Sequence, residues 1–404
     1  MKKIILITAY FPYHPGEQFL ETEIKYYGNS VNLTIMPLNS SKKCRDIPNG
    51  IKLDNYFINK KRNYTFSKMH YLMNLLFYKE FITQVGINSK RIEPFLYSMR
   101  IYQMYYDIFD DYFKDQKELE NTVVYTYWNI EATYALQSLK KKYKYKLVSR
   151  IHGGDIYKER KIDCYMPLKC FFTNNIDKVF TITESANKYL SKTYGFKNEV
   201  LEVSRLGVDN HFIKCNSTIV NHFSIVSCSF LKDVKRIDKI IDAISLLSKK
   251  YPFITFEWNH IGSGPLENKL QQYAKEKLLK NNIKYKFLGH LDNKNVYEFY
   301  KNNAIDVFVN VSESEGVPVS IMEAMSCHIP IVAPNVGGIS DMIIDKKNGK
   351  LLSKECEVNE LVDALSEMQF FKSKKTREAA YSIFFEKYNA KKNYTEFIKK
   401  LKEL

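Results

Sequence analysis

Short apolar runs bounded by turn residues alternate along this chain with longer charged stretches of helical period, and the alternation occurs twice. In the first half, Lys3 to Ala9, Val31 to Pro37, Val123 to Tyr127, Lys146 to Ile151 and Lys178 to Thr183 read as strands. In the second half, Phe223 to Ser229, Thr255 to Ile261, Lys284 to Leu288, Val307 to Val311 and Ile329 to Ala333 do the same. Strands separated by helix-length segments pair in parallel through crossover connections. The pattern predicts an α/β chain of two Rossmann-like domains.

The 404 residues suffice for two such domains. The turn Leu206-Gly207-Val208-Asp209-Asn210 lies between the halves, and the Asn-, Ser- and Thr-rich stretch Lys214 to Val220 after it reads as the linker. Residues 1–206 and 207–384 are therefore expected as the two domains. The stretch Arg377 to Leu404 has helical period, with Phe384, Phe385, Tyr388, Tyr394, Phe397 and Leu401 on its apolar side. Its end, about residues 385–404, is expected to return to the first domain.

A hydrophobic fraction of 45% with 26% charged residues is the balance of a folded globular chain. The formal charge is +16, and residues 1–204 carry 31 Lys and Arg against 21 Asp and Glu. Such an excess suits nucleic acid, an anionic membrane face, or an anionic substrate such as a nucleotide sugar or a lipid phosphate. Seven Cys with no Cys-X-X-Cys pair argue against a disulfide framework and a structural zinc site, and fit a cytoplasmic chain. Met1-Lys2-Lys3 before Ile4 to Ala9 resembles a signal peptide, but the apolar run is only about six residues and Pro12, His14 and Pro15 follow, so a buried first strand is expected. No run reaches the roughly 18–20 apolar residues of a membrane span; the nearest, Met69 to Ile82, is broken by His70, Asn74, Lys79 and Glu80.

One region departs from the strand and helix rhythm. Asn59 to Arg100 carries Lys60, Lys61, Arg62, Lys68, Lys79, Lys90, Arg91 and Arg100 against only Glu80 and Glu93. Aromatic residues are interleaved, among them Tyr64, Phe66, Tyr71, Phe77, Tyr78 and Phe81. Cations with apolar anchors suit an anionic membrane interface. A core-packing helix with a solvated basic face gives the same pattern, and the two readings weigh equally.

The strongest chemical signal is Ser312-Glu313-Ser314-Glu315-Gly316-Val317-Pro318, followed by Val319 to Ala324, directly after a predicted strand. Strand, glycine turn and helix is where α/β sheets bind ligands. Pro318 is expected at the first helical position, and the amides of that helix start can face phosphate. Glu315 and Glu323 make sense as acceptors for sugar hydroxyls. Alternatively Glu315 is a loop charge and Glu323 an acid complementing the helix dipole.

Here the chain resembles the retaining GT-B glycosyltransferases of family 4, whose hallmark is this pair of glutamates with seven residues between them. The resemblance continues in order through Ser204 to Asp209, Val226 to Asp238, Ile261 to Pro265, Phe287-Leu288-Gly289, Ala333 to Gly338 and Asn348-Gly349. Phe11 to Glu23 and Arg150 to Tyr157 are similar to the branch that builds colanic-acid-type and other surface polysaccharides. The fold implied is GT-B, two Rossmann-like domains facing across a cleft.

The resemblance also implies roles. Glu323 would hold the nucleotide's ribose diol and Glu315 the donor sugar, with the amides of Gly316 and Val317 nearby. Lys235, with Arg236 beside it, would neutralise the diphosphate, and Gly16 would let backbone approach the donor. His152 would face the anomeric centre, and Asp155 would position or deprotonate the acceptor hydroxyl, although a helix cap explains Asp155 equally well. One departure stands out: the family usually has an Arg five residues before the phosphate Lys, and here that position is Phe230. Arg236, Lys232 or Arg205 would have to replace its bidentate contact.

The expected reaction is transfer of a hexose or N-acetylhexosamine from a nucleotide diphosphate sugar, a UDP-sugar foremost, to a lipid-linked saccharide, with retention. The chain would work as a peripheral protein at the inner face of the plasma membrane. No cofactor and no metal are expected, since there is no Asp-X-Asp triplet or His/Cys cluster. Competing readings are a UDP-sugar epimerase or hydrolase on the same fold, and a catalytically inert scaffold favoured by Phe230. Nucleic-acid binding is disfavoured, because no recognition motif accompanies the charge.

Overall fold

The computed structural model describes residues 1–14, 16–65 and 74–404, and every ladder between strands within them is parallel. Pro15, Phe66, Lys68, Tyr71 and the start of Met69 to Ile82 lie outside the described residues. The chain divides into one unit of Met1–Leu206 with Lys391–Leu404, and a second of Gly207–Ala390.

In the first unit, β1 (Lys2–Thr8), β2 (Val31–Pro37), β3 (Lys52–Leu53), β4 (Thr122–Thr126), β5 (Lys146–Arg150), β6 (Lys178–Thr181) and β7 (Leu201–Val203) form a sheet ordered β3-β2-β1-β4-β5-β6-β7. The strands are near-continuous apolar runs because both faces are covered. Ile5 and Ile7 of β1 pack with Phe95, Met99, Ile108 and Leu136 of the helices Ser89–Lys114 and Glu131–Tyr143. The alternate residues Ile4 and Leu6 point to the opposite face, against Leu20, Ile24, Phe397 and Leu401.

In the second unit, β8 (His222–Cys228), β9 (Thr255–Ile261), β10 (Ile283–Phe287), β11 (Val307–Val309), β12 (Ile331–Pro334) and β13 (Gly349–Leu352) are ordered β10-β9-β8-β11-β12-β13. Each sheet reverses its winding once, between β1 and β4 in the first and between β8 and β11 in the second. A crevice forms at the carboxyl ends of the strands where the winding reverses.

The ten expected strands are present, shifted by up to two residues. β3, β7 and β13 were not anticipated, being too short or too mixed to show alternation. Lys214 to Val220 is not a linker. Cys215 is buried and donates its amide to the Cys327 carbonyl, and Thr218 bonds Asp306, so this stretch is part of the second unit. The terminal helical stretch is two helices, Lys374–Lys387 and Ala390–Glu403, broken where Val208 and the Tyr388 to Ala390 backbone exchange hydrogen bonds. Only Lys391–Leu404 belongs to the first unit. The expected start near 385 was too early, because Arg377 of the preceding helix bonds the carbonyls of Ile305 and Cys215 in the second unit.

A buried charge organises the face that receives the terminal helix. Arg150, at the end of β5, is fully buried and donates to Tyr125 Oη at 2.9 Å and the Ser204 carbonyl at 3.0 Å. Its guanidinium lies 3.4 Å from the Glu23 carboxylate and 4.3 Å from the ring centroid of Phe397. Burial raises the Glu23 carboxyl while Arg150 opposes that rise. Removing one partner of such a pair strands a buried charge. Glu23→Ala is expected to cost about 3–5 kcal/mol in urea unfolding, and Glu23→Met with Arg150→Met to recover most of it; equal losses in the single and double variants would contradict this.

Candidate active site

The loops that follow β8 and β11 meet at the reversal point of the second sheet. The amide of Glu313 donates to the Val234 carbonyl at 2.9 Å, which holds the two loops side by side. Lys235 Nζ then reaches Glu315 Oε1 at 2.7 Å, and Asn310 Nδ2 donates to the same oxygen at 3.0 Å. The pair is largely shielded, with Lys235 21% and Glu315 10% exposed at their side chains.

A third loop fixes the height of this carboxylate. Gly337, after β12, has φ +58°, and a Cβ there would lie 2.0 Å from the Glu315 carbonyl oxygen. Only glycine fits this contact, and the neighbouring Gly338 amide donates to the Gly316 carbonyl at 2.6 Å. A Cβ on Gly316 would meet nothing within 4 Å, so the space beside that residue is open.

Pro318 is not the first helical residue. Its ψ of 120° is extended and makes it the cap of the helix Val319–Ser326, with Val317 buried before it. Glu323 lies in that helix, 7% exposed, with Asn293 Nδ2 donating to Oε1 at 2.5 Å. Burial pushes its carboxyl up to about 7. The structure thus brings Lys235 and Glu315 into contact and sets Glu323 as a desolvated acceptor.

Phe230 is 61% exposed, with Lys232 Nζ 5.5 Å from its ring centroid. Of the expected substitutes for the missing Arg, Arg236 is already engaged by Glu313 at 2.7 Å and Asp238 at 3.0 Å. Arg205 lies in the first unit, 3.8 Å from Glu184.

The corresponding loops of the first unit carry a second cluster. Gly16 has φ +93° and Glu17 φ +53°, which turns the Glu17 carboxylate back into the loop after β1. It accepts from the amides of Ala9, Tyr10 and Phe11 and from Trp128 Nε1, all at 2.7–2.8 Å. Glu17 so ties the loop after β1 to the one after β4. Sequence reasoning passed over it, the only signal being a Gly-Glu step soon after a strand.

His152, after β5, is packed between the rings of Tyr127 at 4.7 Å and Trp128 at 4.8 Å. Burial, then the Arg150 charge, lower its imidazole to about 3, so it is neutral. One ring nitrogen bonds the Tyr127 backbone, while Nε2 is buried with no partner. Nε2 is therefore the ring nitrogen left open to a further hydrogen bond.

Asp155 sits in the helix-cap arrangement that was the alternative to a catalytic role. It is 2% exposed, and its two oxygens accept from the amides of His152 at 2.6 Å and Asn129 at 2.7 Å. It caps the short helix Gly153–Ile156 and orients the His152 turn. Burial raises its carboxyl to about 6 against the opposing charge of Lys169. Lys169, which sequence reasoning did not single out, is wholly buried and donates to the carbonyl and Oδ1 of Asn129 at 3.1 Å each.

Comparison with known proteins bears on the fold and on the second unit. Residues 216–383 match the family model of glycosyl transferases group 1. WcaL of Escherichia coli, assigned to colanic acid biosynthesis, is 26% identical over 219 residues, 51% of each chain. The chain spans about half the length of the curated relatives it matches first. The lipopolysaccharide outer core galactosyltransferase WaaB superposes with a TM-score of 0.70 at 17% identity, over 98% of this chain and 99% of that one. HepE of Anabaena, in complex with UDP, gives 0.66 at 16% identity over 100% of both. The chain has the GT-B fold, and the stretch that matches the group 1 model lies within its second unit.

The raised Glu323 carboxyl makes a pH-dependent stability prediction. A folded value near 7 lies above the ordinary 4.5, so the folded state holds the proton more tightly. Its contribution is fully present below about 4.5 and lost as pH rises through about 7. Glu323→Gln, which keeps the Asn293 bond without the charge, should therefore gain stability over wild type at pH 8 relative to pH 4, on the order of 3 kcal/mol. Parallel denaturation curves at the two pH values check this, and an unchanged difference would refute the burial argument.

Proposed function

We propose that this chain is a retaining glycosyltransferase that moves a hexose or N-acetylhexosamine from a UDP-sugar to a hydroxyl of a lipid-linked saccharide, in the assembly of a cell-surface polysaccharide such as a capsule or O-antigen. The observation that carries it is the Lys235 to Glu315 contact at the reversal point of the second sheet, with Glu323 buried in the helix that follows. The relatives' roles and the UDP bound by HepE support the donor class.

In this reading Glu323 accepts from the ribose diol in its ionised form, and Glu315 accepts from the donor sugar. Lys235 exchanges Glu315 for the diphosphate, whose charge grows as the glycosidic bond breaks. The exposed Lys232 is the cation that adds to it in place of the missing Arg. His152 Nε2 accepts from a sugar hydroxyl, and the Asp155 cap holds it at that angle. Glu315 is committed to the sugar hydroxyls and both Asp155 oxygens to backbone amides, which disfavours a double displacement through either. Retention, implied by the family resemblance, is then met by attack on the same face as departure, with the leaving phosphate taking the acceptor proton.

Phe230 supports a second reading, an inert scaffold on the same fold. Thermal stabilisation by UDP-, GDP- and ADP-sugars separates them, since the transferase reading expects a UDP-sugar to raise the melting temperature. Glu315→Ala and His152→Ala should each lower transfer at least about a hundredfold with little change in melting. Wild-type rates in either variant would refute the assignment. Donor turnover indifferent to acceptor would instead indicate a hydrolase or epimerase.

A further inference from the structure

We infer that the elbow from Leu75 to Tyr97, together with the loop Lys158 to Phe171, forms a docking surface for an anionic phospholipid bilayer. The inference rests on the proposed lipid-linked acceptor for its purpose, but its structural grounds are independent of the chemistry.

Single exposed apolar residues are ordinary, whereas a contiguous set is not. Ile87 is wholly exposed, Ile82 is 76%, Ile162 is 70% and Tyr78 is 52% exposed. They belong to two segments far apart in the chain that the fold fastens together. Asn88 Nδ2 and Arg91 Nε both bond Asp163 Oδ2, at 2.7 and 2.5 Å, which sets Ile87 beside Ile162. The buried Glu80 accepts from Tyr165 Oη at 2.5 Å and the Leu168 amide at 3.0 Å. These bonds fix the elbow in place, so its apolar residues are held out toward solvent.

Charge decides the occupant. Lys79, Lys90, Arg160 and Lys161 are exposed on these same segments. The exposed acids are Glu93 and Glu159, and Glu159 is taken up by Tyr189 Oη at 2.7 Å. A second copy of the chain would set like charges against one another, which opposes association. An anionic bilayer satisfies both the cations and the apolar side chains. The surface also adjoins the candidate site: its loop follows directly on the His152 to Ile156 turn and contains Lys169, which holds Asn129.

The test is sedimentation of the full chain with vesicles of phosphatidylcholine alone and of phosphatidylcholine mixed with phosphatidylglycerol. Wild type is expected to bind the mixed vesicles and to lose them at high salt. Lys79→Glu with Lys90→Glu and Lys161→Glu should weaken binding about a hundredfold or more. Ile82→Ser with Ile87→Ser and Ile162→Ser should weaken it about tenfold or more. Both variants should keep the wild-type melting temperature, since these side chains are exposed. Equal binding to both vesicle types, or undiminished binding by either variant, would overturn the inference. So would a wild-type dimer in velocity sedimentation that the isoleucine variant dissociates. Stabilisation by a UDP-sugar, measured without lipid, reports separately on the transferase reading.

Discussion

Parallel pairing is the constraint on which the rest of this structure depends. Every strand runs the same way within its sheet, so the connection leaving each carboxyl end emerges on one edge. Glu17, Asn129, His152, Lys235, Glu315 and Gly337 all sit in such connections, after β1, β4, β5, β8, β11 and β12. Residues remote in sequence meet because the winding reverses between β1 and β4 and between β8 and β11. The contact of Lys235 with Glu315 is the direct product of the second reversal.

The loops that carry function are held by polar groups satisfied inside the protein. Glu17 binds three consecutive amides and an indole nitrogen, and Asp155 binds two amides from different loops. Lys169 closes the same network from the other side of Asn129. Buried polar groups are costly unless paired, so each network admits one arrangement of its loop. His152 Nε2 and Asn129 Nδ2 are left without partners there.

Much of this was legible in the linear order of residues. The strands showed as apolar runs because both sheet faces are covered; Glu315 and Glu323 stood out through their place after a strand and a glycine turn, and Lys235 through the family resemblance alone. What was misread or left open shares a cause. Lys214 to Val220 is polar in composition yet packs through Cys215 and Thr218 against partners near Asp306 and Cys327, far along the chain. Asp155 carries the residue type of a base, but its oxygens are consumed by amides, one of them from the separate loop at Asn129. Lys169 gave almost no signal, since its bonds go to the distant Asn129, and Glu17 gave little, since its loop closes only in three dimensions and is tied to Trp128 far along the chain.

By itself the sequence determined the class of each segment, the two-domain α/β architecture and the loops that hold the donor-type carboxylates and lysine. Local period and turn chemistry act over a few residues, so they are written in order along the chain. Only the tertiary structure decided which charges neutralise one another, which acid is desolvated, and that the segments carrying the isoleucines at 82, 87 and 162 are tied together. Burial and pairing depend on groups brought together across tens to hundreds of residues. Arg150 shows this most clearly: as an isolated residue it is one more cation, but Glu23 and Phe397 make it the buried centre beneath the terminal helix.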